Sequence, residues 1–67
     1  MHEVDCRGMR CPIPIIMVAE RVKEEKAGSK IVLLSDDPAT WPDLQAWGRM
    51  QEHVVKQIDQ VTFEITV

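Results

Sequence analysis

The chemistry of this chain is concentrated in one segment, Asp5-Cys6-Arg7-Gly8-Met9-Arg10-Cys11-Pro12-Ile13-Pro14. A helix is expected to begin around Pro12, because the first helical turn has no use for the N–H that proline lacks. Cys11 then falls at the helix N-cap. The positive end of a helix dipole favours a thiolate, and so do nearby cations, here Arg10 and Arg7. The expected direction is a lowered thiol pKa. A side chain at the N-cap accepts from the N–H of the second or third helical residue. Pro14 in the third position has none, which leaves Ile13 as the donor. A thiolate stabilised only in part keeps more of its nucleophilicity. The competing reading is a small buried hydrophobe, since cysteine is among the most buried residue types. The flanking arginines and prolines favour a loop–helix junction over the core.

The partner thiol of a dithiol oxidoreductase is missing. That chemistry needs Cys-x-x-Cys at a helix start, and Pro14 occupies the second position. A sulfur held on Cys11 would meet no local resolving thiol, which suits a carrier better than a disulfide reductase. Cys6 is a possible second thiol. It could reach the roughly 4.4–6.8 Å Cα separation of a disulfide with Cys11 if the glycine-containing loop folds back. An inert strand cysteine is the simpler reading.

His2 and His53 could join the cysteines in a metal set, but Cys-x4-Cys is not the tight zinc pair. No metal and no cofactor is expected, and His53 is read as a capping residue near the end of the second helix. Ile13 and Met17 lie one turn apart, on the side away from the apolar stripe. Beside a nucleophile they could dock a partner. The opposing reading is that the prolines distort the first turn and move Ile13 inward. Glu20, Glu24, Glu25, Asp36 and Asp37 read as solvated surface.

Positioning these groups takes a small set of elements. Glu3 to Cys6 is a short candidate strand. Ile15, Val18, Ala19 and Val22 recur at helical spacing, with Gly28 as the C′ stop. Lys30 to Leu34 is an apolar run suited to a strand that is central or buried on both faces. A second helix is expected from Thr40, as N-cap, to Glu52, with Leu44, Trp47 and Gly48 inward. Val54 to Ile58, an Asp59-Gln60 turn and the alternation Val61, Phe63, Ile65, Val67 complete a hairpin. The order β-α-β-α-β-β, with a right-handed first crossover, predicts parallel first and second strands and an antiparallel final hairpin. The fold class that follows is a two-layer α/β sandwich: a mixed four-stranded sheet with both helices on one face.

At 67 residues the chain makes one domain. Two cysteines exclude a disulfide-rich scaffold. A net charge of −3 argues against direct nucleic-acid binding. No stretch approaches the roughly 18 apolar residues of a membrane span, and Met1 to Gly8 lacks the pattern of a signal peptide. The expected compartment is the cytoplasm.

The full set of signatures is Asp5-x-Arg7-Gly8-x-x-Cys11-Pro12-x-Pro14, Asp36-Asp37-Pro38-Ala39-Thr40, Trp47, and Glu52-His53 before the hairpin. It resembles the TusA/SirA-like sulfur-carrier family over essentially the whole chain. The resemblance implies a βαβαββ domain whose Cys-Pro-x-Pro cysteine, here Cys11, accepts sulfur as a persulfide and passes it to another protein. Donors would be of the cysteine desulfurase or rhodanese type. Family members serve tRNA thiolation, sulfur oxidation or molybdenum-cofactor supply. Many relatives carry another cysteine in the second helix, where this chain has Gly48, and Cys6 is an extra thiol found in only some. The alternatives are a non-catalytic regulatory or interaction domain and a Cys6/Cys11 redox switch.

Overall fold

The strand period of two and the helix period of about 3.6 set which side chains share a face of each element. In the computed structural model, which describes residues 2–10 and 13–67, those faces meet in a single core. The elements are β1 (His2–Asp5), α1 (Ile13–Glu24), β2 (Lys30–Leu34), α2 (Thr40–Gln51), β3 (Val54–Gln57) and β4 (Thr62–Thr66). The sheet order is β1-β2-β4-β3. β1 pairs parallel with β2, and β4 pairs antiparallel with both β2 and β3.

Register shows which face is covered. Val4 lies opposite Leu33, Leu33 opposite Phe63, and Ile31 opposite Ile65. All five are buried, together with Val18 of α1 and Leu44 of α2. Both helices therefore cover the same face, as the two-layer sandwich requires. Trp41 stacks on Phe63 with ring centroids 5.8 Å apart. Gly48 lets α2 approach β3 closely: a Cβ there would sit 3.0 Å from the His53 carbonyl oxygen and 3.1 Å from a Val55 methyl.

Several boundaries differ from expectation. β1 ends at Asp5, although the Cys6 N–H still bonds the Leu34 carbonyl at 2.7 Å. β2 is central but buried on one face only, in strict alternation. α1 ends at Glu24, so Gly28 is not its stop. Its φ of +89° serves the turn into β2, where its N–H bonds the Val67 carbonyl at 2.7 Å. β3 stops at Gln57 and the hairpin connection spans residues 58–61, longer than an Asp59-Gln60 turn. Val61 falls in this connection and is exposed, outside the inward series.

The ends of α2 also differ. Ala39 holds the cap position without a side-chain bond, while Thr40 is the first helical residue and fully buried. The hydroxyls of Thr40 and Ser35 share a 2.7 Å hydrogen bond. Upstream, Asp37 Oδ1 accepts the Ala39 N–H at 2.9 Å, and the Asp37 carbonyl accepts the Thr40 N–H at 3.0 Å. Asp37 thus satisfies the amides that lead into the helix, and Thr40 is not the cap. The helix closes at Glu52, in the left-handed region at φ 61°. His53 contributes through its backbone N–H, 2.9 Å from the Gly48 carbonyl, while its ring stacks on Trp47 at 5.3 Å.

Candidate functional site

Because β1 and β2 run parallel, their C-terminal ends lie side by side. The β1–α1 loop and the β2–α2 loop leave from the same edge of the sheet. The first loop opens with an ion pair. The Arg7 guanidinium donates to both carboxylate oxygens of Asp5, at 3.0 and 2.8 Å, and the Arg7 N–H adds a bond of 3.1 Å. These contacts hold the Asp5 carboxyl down at about 2 and raise the pKa of Arg7. Arg7 is therefore paired, and not the free cation that thiolate stabilisation would use.

Gly8 turns the chain with φ +83°, a conformation that side-chain-bearing residues rarely adopt. Its N–H donates to Asp36 Oδ1 at 3.0 Å, across to the second loop. The Met9 N–H folds back onto the Cys6 carbonyl at 3.0 Å. The Ile13 N–H donates to the Arg10 carbonyl at 3.0 Å. The expected bond from this amide to the Cys11 sulfur lies outside the described residues.

Cys11 and Pro12 lie outside the described residues. Their neighbours on both sides define the setting. Arg10 lines an open cleft of about 330 Å³ together with Gly8, Met9, Asp36, Asp37 and Pro38. Pro14 is buried in the first turn of α1, where its ring fixes the backbone. Ile13 is 47% exposed and Met17 37% exposed, and Ile16, which the helical phase did not single out, is 51% exposed. The apolar surface after the cleft is wider than the expected pair.

Cys6 packs beneath Met17. It is fully buried, with Sγ 3.6 Å from Met17 Sδ. Burial, and secondarily the charge of Asp5, pushes its pKa up. A buried thiol of raised pKa is a poor nucleophile. Asp36 and Asp37, expected to be solvated surface, each accept backbone N–H bonds that shape the two loops. The Asp37-Pro38 dipeptide was a legible start signal for α2. The reach of Asp36 to Gly8 has no local signal.

The family described as sulfurtransferase TusA matches residues 2–67. The chain belongs to this sulfurtransferase family. Its fold is similar to that of a SirA-like protein from Desulfitobacterium hafniense, whose crystal structure aligns with a TM-score of 0.79 at 26% identity, covering 98% of this chain and 93% of that one. TusA proteins work in sulfur relay between donor and acceptor proteins. Among the described residues, no helix is long and apolar enough to cross a membrane.

Proposed function

We propose that this protein is a sulfur carrier that holds sulfur as a persulfide on Cys11. The observation that carries the reading is the position of Cys-Pro-x-Pro in a TusA-family chain. In sequence it follows Arg10, which lines an open cleft, and runs into Ile13 and Pro14, the first residues of α1. The reaction is balanced without an external oxidant or reductant. The Cys11 thiolate attacks the outer sulfur of a donor persulfide, a new S–S bond forms, the donor's S–S bond breaks, and the donor leaves as a thiolate. Attack by an acceptor thiolate on the carried sulfur repeats the step and restores Cys11. The donor is a cysteine desulfurase or rhodanese type of protein, and the acceptor is a further protein of the relay, in tRNA thiolation, sulfur oxidation or cofactor sulfuration. The buried Cys6 thiol weighs against a Cys6/Cys11 redox switch.

Intact mass tests this. After incubation with a cysteine desulfurase and cysteine, or with a rhodanese and thiosulfate, the protein should gain about 32 Da per sulfur. Cys11→Ser should abolish the gain and keep the fold, since serine caps a helix start well. Cys6→Ser should load at close to the wild-type rate. A loaded Cys11→Ser variant would overturn the assignment. A loss of two hydrogens in place of a gain would point to a disulfide switch.

A further inference from the structure

The loop that carries the chain from β1 to Arg10 and on to Cys11 contains Gly8 at positive φ, and is exposed over residues 7–10. Its own bonds are short-range: Arg7 to Asp5, and Met9 to Cys6. The bond from the Gly8 N–H to Asp36 is different. It spans 28 positions in the sequence and joins the loop to the start of the β2–α2 junction. That junction is rigid. The Ser35 N–H bonds the Val61 carbonyl at 2.9 Å, Ser35 and Thr40 share a buried hydroxyl bond, and Asp37 caps the following turn.

We propose that Asp36 is a positioning residue for sulfur transfer at Cys11: by accepting the Gly8 N–H, its carboxylate holds the thiol-bearing loop against the rigid β2–α2 junction. The inference rests on the carrier reading above. Electrostatics sharpens it. Asp36 lines the same cleft as Arg10, and a carboxylate charge never favours a thiolate. Charge would not help a thiolate nucleophile, so the proposed contribution lies in the bond to Gly8 and the geometry it fixes. A loop held in place pays less ordering entropy when a partner docks, and presents the reacting atom in one orientation.

Bond and charge are separable by substitution. Asp36→Asn keeps an acceptor oxygen for the Gly8 N–H and removes the charge, whereas Asp36→Ala removes both. The protein donor is a rhodanese loaded with thiosulfate. The small-molecule probe is iodoacetamide, with labelling at Cys11 read by peptide mass over a pH series. Asp36→Ala should slow sulfur uptake from the rhodanese about tenfold, and Asp36→Asn should stay within about twofold of wild type. The midpoint of the alkylation profile should agree in Asn and Ala variants, because both lack the charge. Equal slowing of uptake in both variants would overturn the proposal in favour of a charge effect. Unchanged uptake in the Ala variant would overturn it outright. If the wild-type protein takes up no sulfur, the carrier reading fails, and transfer positioning fails with it. Exchange of the Gly8 amide proton then shows separately whether Asp36 holds the loop: about tenfold faster exchange in Asp36→Ala supports the clasp, and no change refutes it.

Discussion

The molecule makes the same connection twice. β1 enters α1 and β2 enters α2, both at the same edge of the sheet. The second junction is tied by a buried pair, a capping carboxylate and a bond to the β3–β4 connection. Ser35 and Thr40 bury their hydroxyls against each other, and Asp37 satisfies the amide that starts the turn. The first junction uses exposed bonds, a glycine at positive φ and a helix start built of prolines. The second holds one buried hydroxyl pair, the first is tied by exposed bonds, and both loops line the cleft between them. The difference separates two tasks. A helix start that must only hold can satisfy its own backbone. On the proposed reading, one that must present a nucleophile borrows order from its neighbour, here through the Gly8–Asp36 bond.

The sharpest way to break this contrast is to damage the second junction. Thr40→Val keeps the volume but leaves the buried Ser35 hydroxyl without its Thr40 partner. The expected cost is about 1–3 kcal/mol in denaturant unfolding. Ser35→Ala with Thr40→Val should cost less than the two single changes added, with a coupling on the order of 1 kcal/mol. Additive costs would mean that the hydroxyl pair is incidental. At the other junction, Gly8→Ala should cost about 1–2 kcal/mol from backbone strain alone, because a Cβ there meets no atom within 4 Å. Gly8→Asn should cost less, since asparagine tolerates the left-handed region. Equal melting temperatures for Gly8→Ala and wild type would show that the loop does not need its positive φ.

The two junctions were unequally legible in the sequence. The span of β2, the inward face of α2 and the parallel pairing of β1 with β2 all follow from periodicity and handedness, which are local or nearly so. The cap of α2 was misplaced by one position: Ala39 holds it without a side-chain bond, Thr40 begins the helix, and Asp37 accepts the Ala39 N–H upstream. The Gly8–Asp36 bond was not legible, because it exists only once two strands 25 or more positions apart are brought into register. The bond from the Ile13 amide to the Arg10 carbonyl, three residues back, was not legible either. Chemistry at a residue can be read from its type; competition among acceptors requires the folded backbone.

Acid should distinguish the exposed clasp from the buried pair. The Asp5 carboxyl sits at about 2 in the fold, against 3.8 for an ordinary aspartate. A depressed folded value means that its stabilisation is complete above about pH 4 and is lost as pH falls towards 2. Asp59 contributes in the same sense, its carboxyl lowered first by the Val61 N–H. Asp5→Asn should therefore flatten the fall in melting temperature between pH 4 and pH 2, lying slightly below wild type near pH 7, by little because the pair is exposed, and converging with it at pH 2. Thr40→Val should lower stability by the same amount at both pH values. An unchanged acid slope in Asp5→Asn would show that the Arg7 pair is absent in solution.

The smallest stability effects belong to the apolar surface beyond the cleft, and there the contrast predicts a dissociation of stability from transfer. Ile16→Glu, at a residue 51% exposed, should cost within about 0.5 kcal/mol. Met17→Glu should cost somewhat more, about 1 kcal/mol, because the Met17 sulfur packs on the buried Cys6 thiol and a carboxylate there would face Asp5 and Cys6. Both should slow sulfur transfer from a loaded rhodanese through lost apolar contact and added like charge, while iodoacetamide, which needs no docking, should label Cys11 at nearly the wild-type rate. An equivalent charge change at Met50, 79% exposed on α2, is the control. If Met50→Glu slows transfer as much as Ile16→Glu, the docking surface spans both helices and the division of labour between the two junctions does not extend to their helices. If neither change affects transfer, partners approach the cleft from the loops.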